Sequence, residues 1–291
     1  MATVDVPRAI DRIEIEAGGF TFSGRACGPH DGRRVLCLHG FPQTSWAWRD
    51  ELWALGHAGY RAIAPDQRGY CGGARPPETS DYGTEYLVGD VIALADSMEM
   101  EYFDLVGHDW GGLLAWIVAE RFPYRVRSLC VVSTPHPLAL QRALAGSDPA
   151  QAVASGTTSS LQEADEPERL LLGPDGDGSG LRRMLRETGL DDDDADMYAT
   201  ELSEPGALTA ALNWYRAMSP STLVDLEPVR VPTMYVWSTG DAAIGRAAAE
   251  GTKEYVQGPY TFEVLEGASH WIPETASERL CELLVRHLAS T

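Results

Sequence analysis

Three side chains in this chain have the types and order needed for a two-stage hydrolysis: Asp109, Asp241 and His270. Asp109 stands in Gly107-His108-Asp109-Trp110-Gly111, which has the form G-x-S-x-G of a nucleophile elbow with aspartate in the serine position. Small flanking residues suit a tight strand-to-helix turn, and the helix N-terminus that follows favours an anion. Carboxylate attack on an acyl carbon would give a reactive anhydride, whereas attack on an sp3 carbon gives an ordinary alkyl ester. The expected reaction centre is therefore a carbon with a leaving group, as in an epoxide or an alkyl halide. His270, in Gly267-Ala268-Ser269-His270-Trp271, can take a proton from water if a carboxylate orients its ring, and Asp241, in Ser238-Thr239-Gly240-Asp241, can serve. The resulting hydroxide attacks the ester carbonyl and forms an oxyanion on Asp109 itself. Backbone N–H groups of Phe41, in His39-Gly40-Phe41-Pro42, and of Trp110 are the expected oxyanion donors.

The chemistry requires elements that bring distant residues to one edge. Arg12 to Ala26 alternate apolar and polar positions around Gly18-Gly19, which reads as an antiparallel hairpin. Strands follow at Arg34–Leu38, Arg61–Ala64, Phe103–Val106 and Val126–Val132, alternating with helices at Ser45–His57, Glu85–Met98 and after Asp109. In the second of these helices Leu87, Val91, Leu94 and Met98 recur at helical spacing. Such alternation implies right-handed crossovers and a mostly parallel sheet. From Pro137 to about Pro220 the sequence offers helices and polar loops without a convincing strand, so residues 136–222 read as a helical cap inserted between core segments 1–135 and 223–291. Within the cap, Asp191 to Asp194 suit a helix N-terminus, and Gly206–Ala217 is a helix with Leu208, Leu212 and Tyr215 on one face. The sheet resumes at Thr233–Trp237 and Tyr260–Leu265, and a helix at Ser277–Leu288 closes the pattern with Leu280, Leu284 and Leu288 at i+4 spacing.

Net charge is −20, from 23 basic and 43 acidic residues among 291, which disfavours nucleic acid, acidic membranes and anionic substrates. The expected partner is a neutral small molecule. Five scattered cysteines without C-x-x-C spacing read as reduced thiols rather than a disulfide framework or zinc site. Asp175, Asp177, Ser179 and Gly180 imitate a calcium loop, but Arg186 stands where the closing glutamate belongs, so a solvated loop is the reading. The start of the chain lacks an apolar signal core and no uncharged run reaches membrane-spanning length. A cytoplasmic monomer or homodimer that uses no metal or cofactor is the expectation.

At HGFPQTSWAWR (39–49), APDQRGY (64–70), GHDWGG (107–112), LNWYR (212–216) and SHWIPE (269–274) the chain resembles the α/β-hydrolase fold superfamily, specifically its epoxide hydrolase branch. The resemblance implies a mostly parallel eight-stranded sheet with helices on both faces, and Asp109 as the nucleophile. It further implies that Tyr215 is the acid that hydrogen-bonds the epoxide oxygen. His39, Trp214, His136 and Trp271 are the expected pocket residues. Similar enzymes carry a second cap tyrosine, whose counterpart falls near Thr157 in ASGTTSSLQ, where no aromatic stands. Tyr215 then acts alone, or with Tyr198 or Trp214, and the missing aromatic leaves room for a bulky substrate. Haloalkane dehalogenases share Asp109, His270 and Trp110, but the Asn that some carry after His-Gly is Phe41 here. Fluoroacetate dehalogenases resemble HGFPQTS yet place arginines where Trp110 and Leu113 stand. A non-catalytic ligand-binding protein could keep the fold, but the full triad with its oxyanion turn favours an enzyme.

Overall fold

Parallel strands covered on both faces need apolar side chains at nearly every position. In the computed structural model, which describes residues 9–146, 160–218 and 226–291, β3 (Arg33–Leu38), β4 (Tyr60–Pro65), β5 (Phe103–His108), β6 (Val126–Val132) and β7 (Thr233–Ser238) meet that need, with β5 and β7 buried throughout. They are flanked by β1 (Asp11–Ala17), β2 (Phe20–Cys27) and β8 (Tyr260–Leu265) in one eight-stranded sheet of order β1-β2-β4-β3-β5-β6-β7-β8. β1 and β2 pair antiparallel, β2 and β4 pair antiparallel, and the remaining pairs are parallel. The β1–β2 hairpin turns at Gly18 and Gly19, both at positive φ (58° and 85°), a conformation that matches the strand twist and that glycine adopts without steric cost.

The strand order places β3 between β4 and β5, so the chain leaves β3 to one side and returns to the other. A crevice opens at such a reversal, outside the carboxyl ends of the strands. Phe41 lies just past β3 and Asp109 just past β5, so the topology itself puts the expected oxyanion donor beside the expected nucleophile. Register fixes the pair: Leu38 on β3 stands opposite Gly107 on β5.

Between β6 and β7 the described residues form helices Pro137–Ala145, Glu166–Leu172, Ser179–Glu187, Asp192–Leu202 and Ala207–Ala217, with no strand among them. Asp191 caps the fourth, its side chain accepting from the Asp194 N–H at 2.9 Å, and Asp192 to Asp194 occupy the first turn, where carboxylates complement the helix dipole. Asp175 and Asp177 precede the Ser179–Glu187 helix in a turn, where Asp177 accepts from the Ser179 N–H at 3.0 Å. The position near Thr157 lies outside the described residues.

One expectation needs correction. Ser45–His57 is not one helix: a 3-10 turn, Ser45–Trp48, precedes the α-helix Arg49–His57, because the Thr44 side chain bonds the Trp46 N–H and tightens the start. The short helices Arg246–Gly251 and Ile272–Thr275 carry too few turns to show a hydrophobic period in the sequence. The Ser277–Ala289 helix buries Leu280, Leu283, Leu284 and Leu288 against the core. Among the described residues no helix is long and apolar enough to cross a membrane.

Candidate active site

Asp109 adopts φ 51° and ψ −119°, a conformation that non-glycine residues avoid. The turn is imposed by close packing of the strand and the helix Trp110–Arg121 on β3. A Cβ on Gly111 would meet the Leu38 carbonyl oxygen, so only glycine permits this approach. The strain holds the Asp109 carboxylate at the crevice, with 26% of its side chain still accessible.

The two carboxylate oxygens face different partners. Oδ1 accepts the Phe41 backbone N–H at 2.8 Å, while Oδ2 lies 3.8 Å from His270 Nε2, an ion-pair separation rather than a hydrogen bond. On its far side His270 Nδ1 meets Asp241 Oδ2 at 3.0 Å. Asp241 is fully buried, and its Oδ1 accepts the N–H groups of Ala243 (2.8 Å) and Ile244 (3.1 Å), which fixes the carboxylate plane. All three residues of the expected triad therefore converge on one strand edge.

Charge follows from this geometry. Burial pushes Asp109 upward, but the closeness of His270, with smaller help from His108 and the Trp110 N–H, outweighs it and leaves its pKa lowered. Burial pulls the His270 imidazole down, yet the Asp241 charge and the contacts with Asp109 raise it to about 10. The unreacted site thus holds an aspartate–imidazolium pair.

Tyr215 projects from the helix Ala207–Ala217 and sets its ring edge-on against Phe41 (5.4 Å) and Trp110 (5.0 Å), the two residues that flank the Asp109 carboxylate. Burial drives its phenol well above the usual range and the nearby Asp109 charge adds to this, while the Trp110 side chain beside the hydroxyl works the other way. At neutral pH it is a protonated donor. Tyr198 and Trp214 are not free second donors. The Tyr198 hydroxyl donates to Glu274 Oε1 at 2.6 Å, and the Trp214 indole donates to the Arg68 carbonyl at 2.8 Å.

The remaining expected pocket residues take varied places. His39 is fully buried; its Nε2 accepts the Gln67 N–H at 3.1 Å, so the ring proton sits on Nδ1 and donates to the Gly40 carbonyl at 3.0 Å. It fixes the carbonyl of the peptide whose N–H belongs to Phe41. Trp214 packs edge-on to Trp110 and Tyr70. Trp271 lies against His270 at 5.3 Å, with its indole donating to Thr188 Oγ1 at 3.1 Å. His136 is drawn elsewhere: its Nδ1 accepts the Leu138 N–H at the start of the Pro137–Ala145 helix, and its ring stacks on Tyr255 at 4.9 Å.

Sequence reasoning missed Gln43, His108, Glu274 and Tyr70. Gln43 Oε1 accepts the Gly40 N–H (3.0 Å) and faces His108 Nδ1 (2.8 Å), and His108 Nε2 faces the His270 carbonyl (3.0 Å). Both of those atoms are acceptors, so a neutral His108 serves one at a time, and the Ser133 hydroxyl (2.9 Å) also holds the His270 carbonyl. Burial lowers His108 to about 4. Tyr70 is buried beside His39 and Trp214, with a hydroxyl that has no hydrogen-bond partner among the described residues. The only available signal was adjacency to motifs: Gln43 follows HGFP, and Glu274 ends SHWIPE.

A strained strand-to-helix turn that carries Asp109, an acid–histidine pair at successive strand ends and a mostly parallel eight-stranded sheet define an α/β hydrolase. The family model described as the alpha/beta hydrolase family matches residues 35–283. The AB hydrolase superfamily protein YfhM of Bacillus subtilis (strain 168) is 32% identical, over 94% of this chain and 96% of that protein. Epoxide hydrolase 3 of Xenopus tropicalis is 31% identical, over 94% of this chain and 76% of that protein. A solved epoxide hydrolase from metagenomes of hot environments superposes with a TM-score of 0.85 at 27% identity, covering 97% of this chain and 99% of that one. The chain belongs to the alpha/beta hydrolase family and, within it, to the epoxide hydrolase branch.

Proposed function

We propose that the protein converts a neutral epoxide to a vicinal diol through a covalent ester on Asp109. Oδ2 attacks an epoxide carbon, the C–O bond of the ring breaks, and Tyr215 gives its proton to the departing alkoxide. Ring opening removes the Asp109 charge, and the His270 imidazolium proton passes to the Tyr215 oxygen; the neutral imidazole then takes a proton from water, and hydroxide adds to the ester carbonyl. The negative charge that develops on Oδ1 is met by the Phe41 N–H, with the Trp110 N–H as second donor. Collapse of this intermediate releases the diol, whose departing oxygen takes the proton of the added hydroxyl, and restores Asp109, with one oxygen from water, beside the His270 imidazolium.

The observation that carries the reading is the division of labour between the two oxygens of Asp109. Oδ1 already accepts the Phe41 N–H at 2.8 Å, and Oδ2 faces His270 and the open side of the turn. The order of events has a physical basis. Ester formation removes the Asp109 charge that helps to raise His270, so the imidazole becomes a usable base only once the ester exists. Tyr215 favours an epoxide over an alkyl halide, because it supplies a proton that an alkoxide needs and a halide does not. The relatives named epoxide hydrolase support the same choice. The helices between β6 and β7 act as the cap that carries this acid, and the net charge of −20 favours a neutral substrate. The lack of an aromatic near Thr157 supports a bulky one; equal rates on small and polycyclic epoxides would count against that.

Intact-mass measurement of His270→Gln incubated with epoxides and haloalkanes tests the reading. The expected result is a persistent adduct on Asp109 whose mass is that of the whole epoxide. A folded variant that forms no epoxide adduct, or reacts with haloalkanes alone, refutes it.

A further inference from the structure

Glu274 is a buried carboxylate outside the reaction steps, and one of its oxygens gathers contacts from two parts of the molecule. Oε1 accepts the Gln43 side-chain N–H at 2.7 Å and the Tyr198 hydroxyl at 2.6 Å. Gln43 is fully buried and holds the Gly40 N–H; Tyr198, also fully buried, belongs to the cap helix Asp192–Leu202. Glu274 itself follows the catalytic histidine by four residues, in the helix Ile272–Thr275. Its other oxygen, Oε2, is buried without a hydrogen-bond partner among the described residues. A buried carboxylate is costly unless its contacts do something that an apolar residue could not.

We propose that Glu274 is a positioning residue that couples the cap to the oxyanion turn: through Gln43 it holds the backbone around Gly40 and Phe41, and through Tyr198 it ties that hold to the seating of the cap. The Gly40–Phe41 peptide carries the N–H that meets Asp109 Oδ1, and its carbonyl is fixed by His39. The N–H of the preceding peptide is fixed by Gln43. The oxyanion donor is therefore aimed from two sides, by His39, whose imidazole burial holds below its ordinary pKa, and by Gln43, which leads to Glu274. Misplacing such a donor affects chiefly the step in which charge develops on Asp109, which is ester hydrolysis.

The charged and titratable groups around Glu274 are Tyr198 and Asp194 on the cap helix, with Arg49 beside them, and Glu51 on the helix Arg49–His57. Burial raises Glu274 to about 7 against the pull of its two hydrogen bonds. His108 and His270 titrate far to either side, at about 4 and about 10. Loss of the charge weakens both hydrogen bonds, because charge-assisted bonds are roughly twice as strong as neutral ones. The hold is tight above the Glu274 midpoint and loosens below it.

The test has two arms, of which only the kinetic one rests on the epoxide hydrolase reading. In the ligand-free protein, the amide NMR signals of Gly40 and Phe41 are followed across neutral pH in wild type and in Glu274→Gln. The expected result is a titration near the Glu274 midpoint in wild type that is absent from the variant. In single turnover with an epoxide, followed by tryptophan fluorescence, Glu274→Gln is expected to slow ester hydrolysis by about tenfold or more, with a smaller effect on ester formation. Tyr198→Phe removes one donor while leaving Glu274 to titrate, and is expected to shift the amide midpoint and slow hydrolysis to a lesser degree. It serves if Glu274→Gln does not fold. Amides that titrate alike in wild type and Glu274→Gln overturn the proposal, as does equal slowing of both steps. If wild type forms no ester with any epoxide, the epoxide reading fails and the amide titration alone decides the positioning role.

Discussion

Replacing Asp241 by asparagine changes one atom, and the surroundings dictate which way the new side chain turns. Oδ1 of Asp241 accepts two backbone N–H groups, from Ala243 at 2.8 Å and Ile244 at 3.1 Å. An amide nitrogen there would set donors against donors, so the Asn oxygen must stay and the nitrogen must face His270 Nδ1. That ring nitrogen becomes an acceptor, and the imidazole proton moves to Nε2, the atom directed at Asp109. A protonated Nε2 cannot take a proton from water. The loss of the Asp241 charge also removes the largest of the influences that raise His270 against burial. The corresponding change in a serine protease triad, where the tautomer is reversed in the same way, lowers turnover by about four orders of magnitude, or about 5 kcal/mol of barrier. Ester hydrolysis in Asp241→Asn is expected to fall by a similar factor. Ester formation uses the carboxylate of Asp109 directly and should fall far less. The assay is rapid-quench single turnover with intact-mass detection, in which the Asp109 ester should build up to nearly one per molecule and decay slowly. Hydrolysis within tenfold of wild type, or ester formation slowed as much as hydrolysis, would refute the tautomer argument.

Two further substitutions probe separate parts of the molecule. Tyr215→Phe removes the proton donor for ring opening, so ester formation from an epoxide should slow by about 10²-fold or more, while hydrolysis of ester once formed stays within a few-fold; rapid-quench mass spectrometry separates the two. Glu51 is fully buried, neither carboxylate oxygen has a hydrogen-bond partner among the described residues, and burial raises its pKa well above the ordinary carboxylate range. The native state therefore keeps a proton that the unfolded chain has released, and stability declines as pH rises from the ordinary carboxylate pKa toward the folded value. Glu51→Gln abolishes that decline. Calorimetry should show a higher Tm than wild type under mildly alkaline conditions and a smaller gap in mild acid; a constant gap across pH would exclude a protonated Glu51.

Much of the core was legible because its causes are local or periodic. Gly107 to Gly111 records a turn that only small residues allow, and Gly18-Gly19 records a hairpin. Leu280, Leu284 and Leu288 record the buried face of one helix. Asp241 and His270 could be found because they follow strands, and parallel strands end along a common edge. The helices Glu166–Leu172 and Ser179–Glu187 were not resolved individually, since polar Gly/Asp turns separate them and each buries only a few side chains. His136 was among the expected pocket residues. Its imidazole is instead taken up by a helix cap and by Tyr255, a partner far along the chain.

The sequence by itself determined the proposed nucleophile, the order of the proposed triad and hence the chemistry proposed for them, because residue type and strand-end position suffice for such a proposal. Only the tertiary structure decided which oxygen of Asp109 faces the oxyanion donor and which faces His270, and which aromatic side chains have a donor to spare. It alone joined Gln43, Glu274 and Tyr198 into one junction. A hydrogen bond depends on position to within a few tenths of an ångström. Hydrophobic periodicity sets only which face of an element is buried, so the partners that packing brings together leave no mark in the spacing of the sequence.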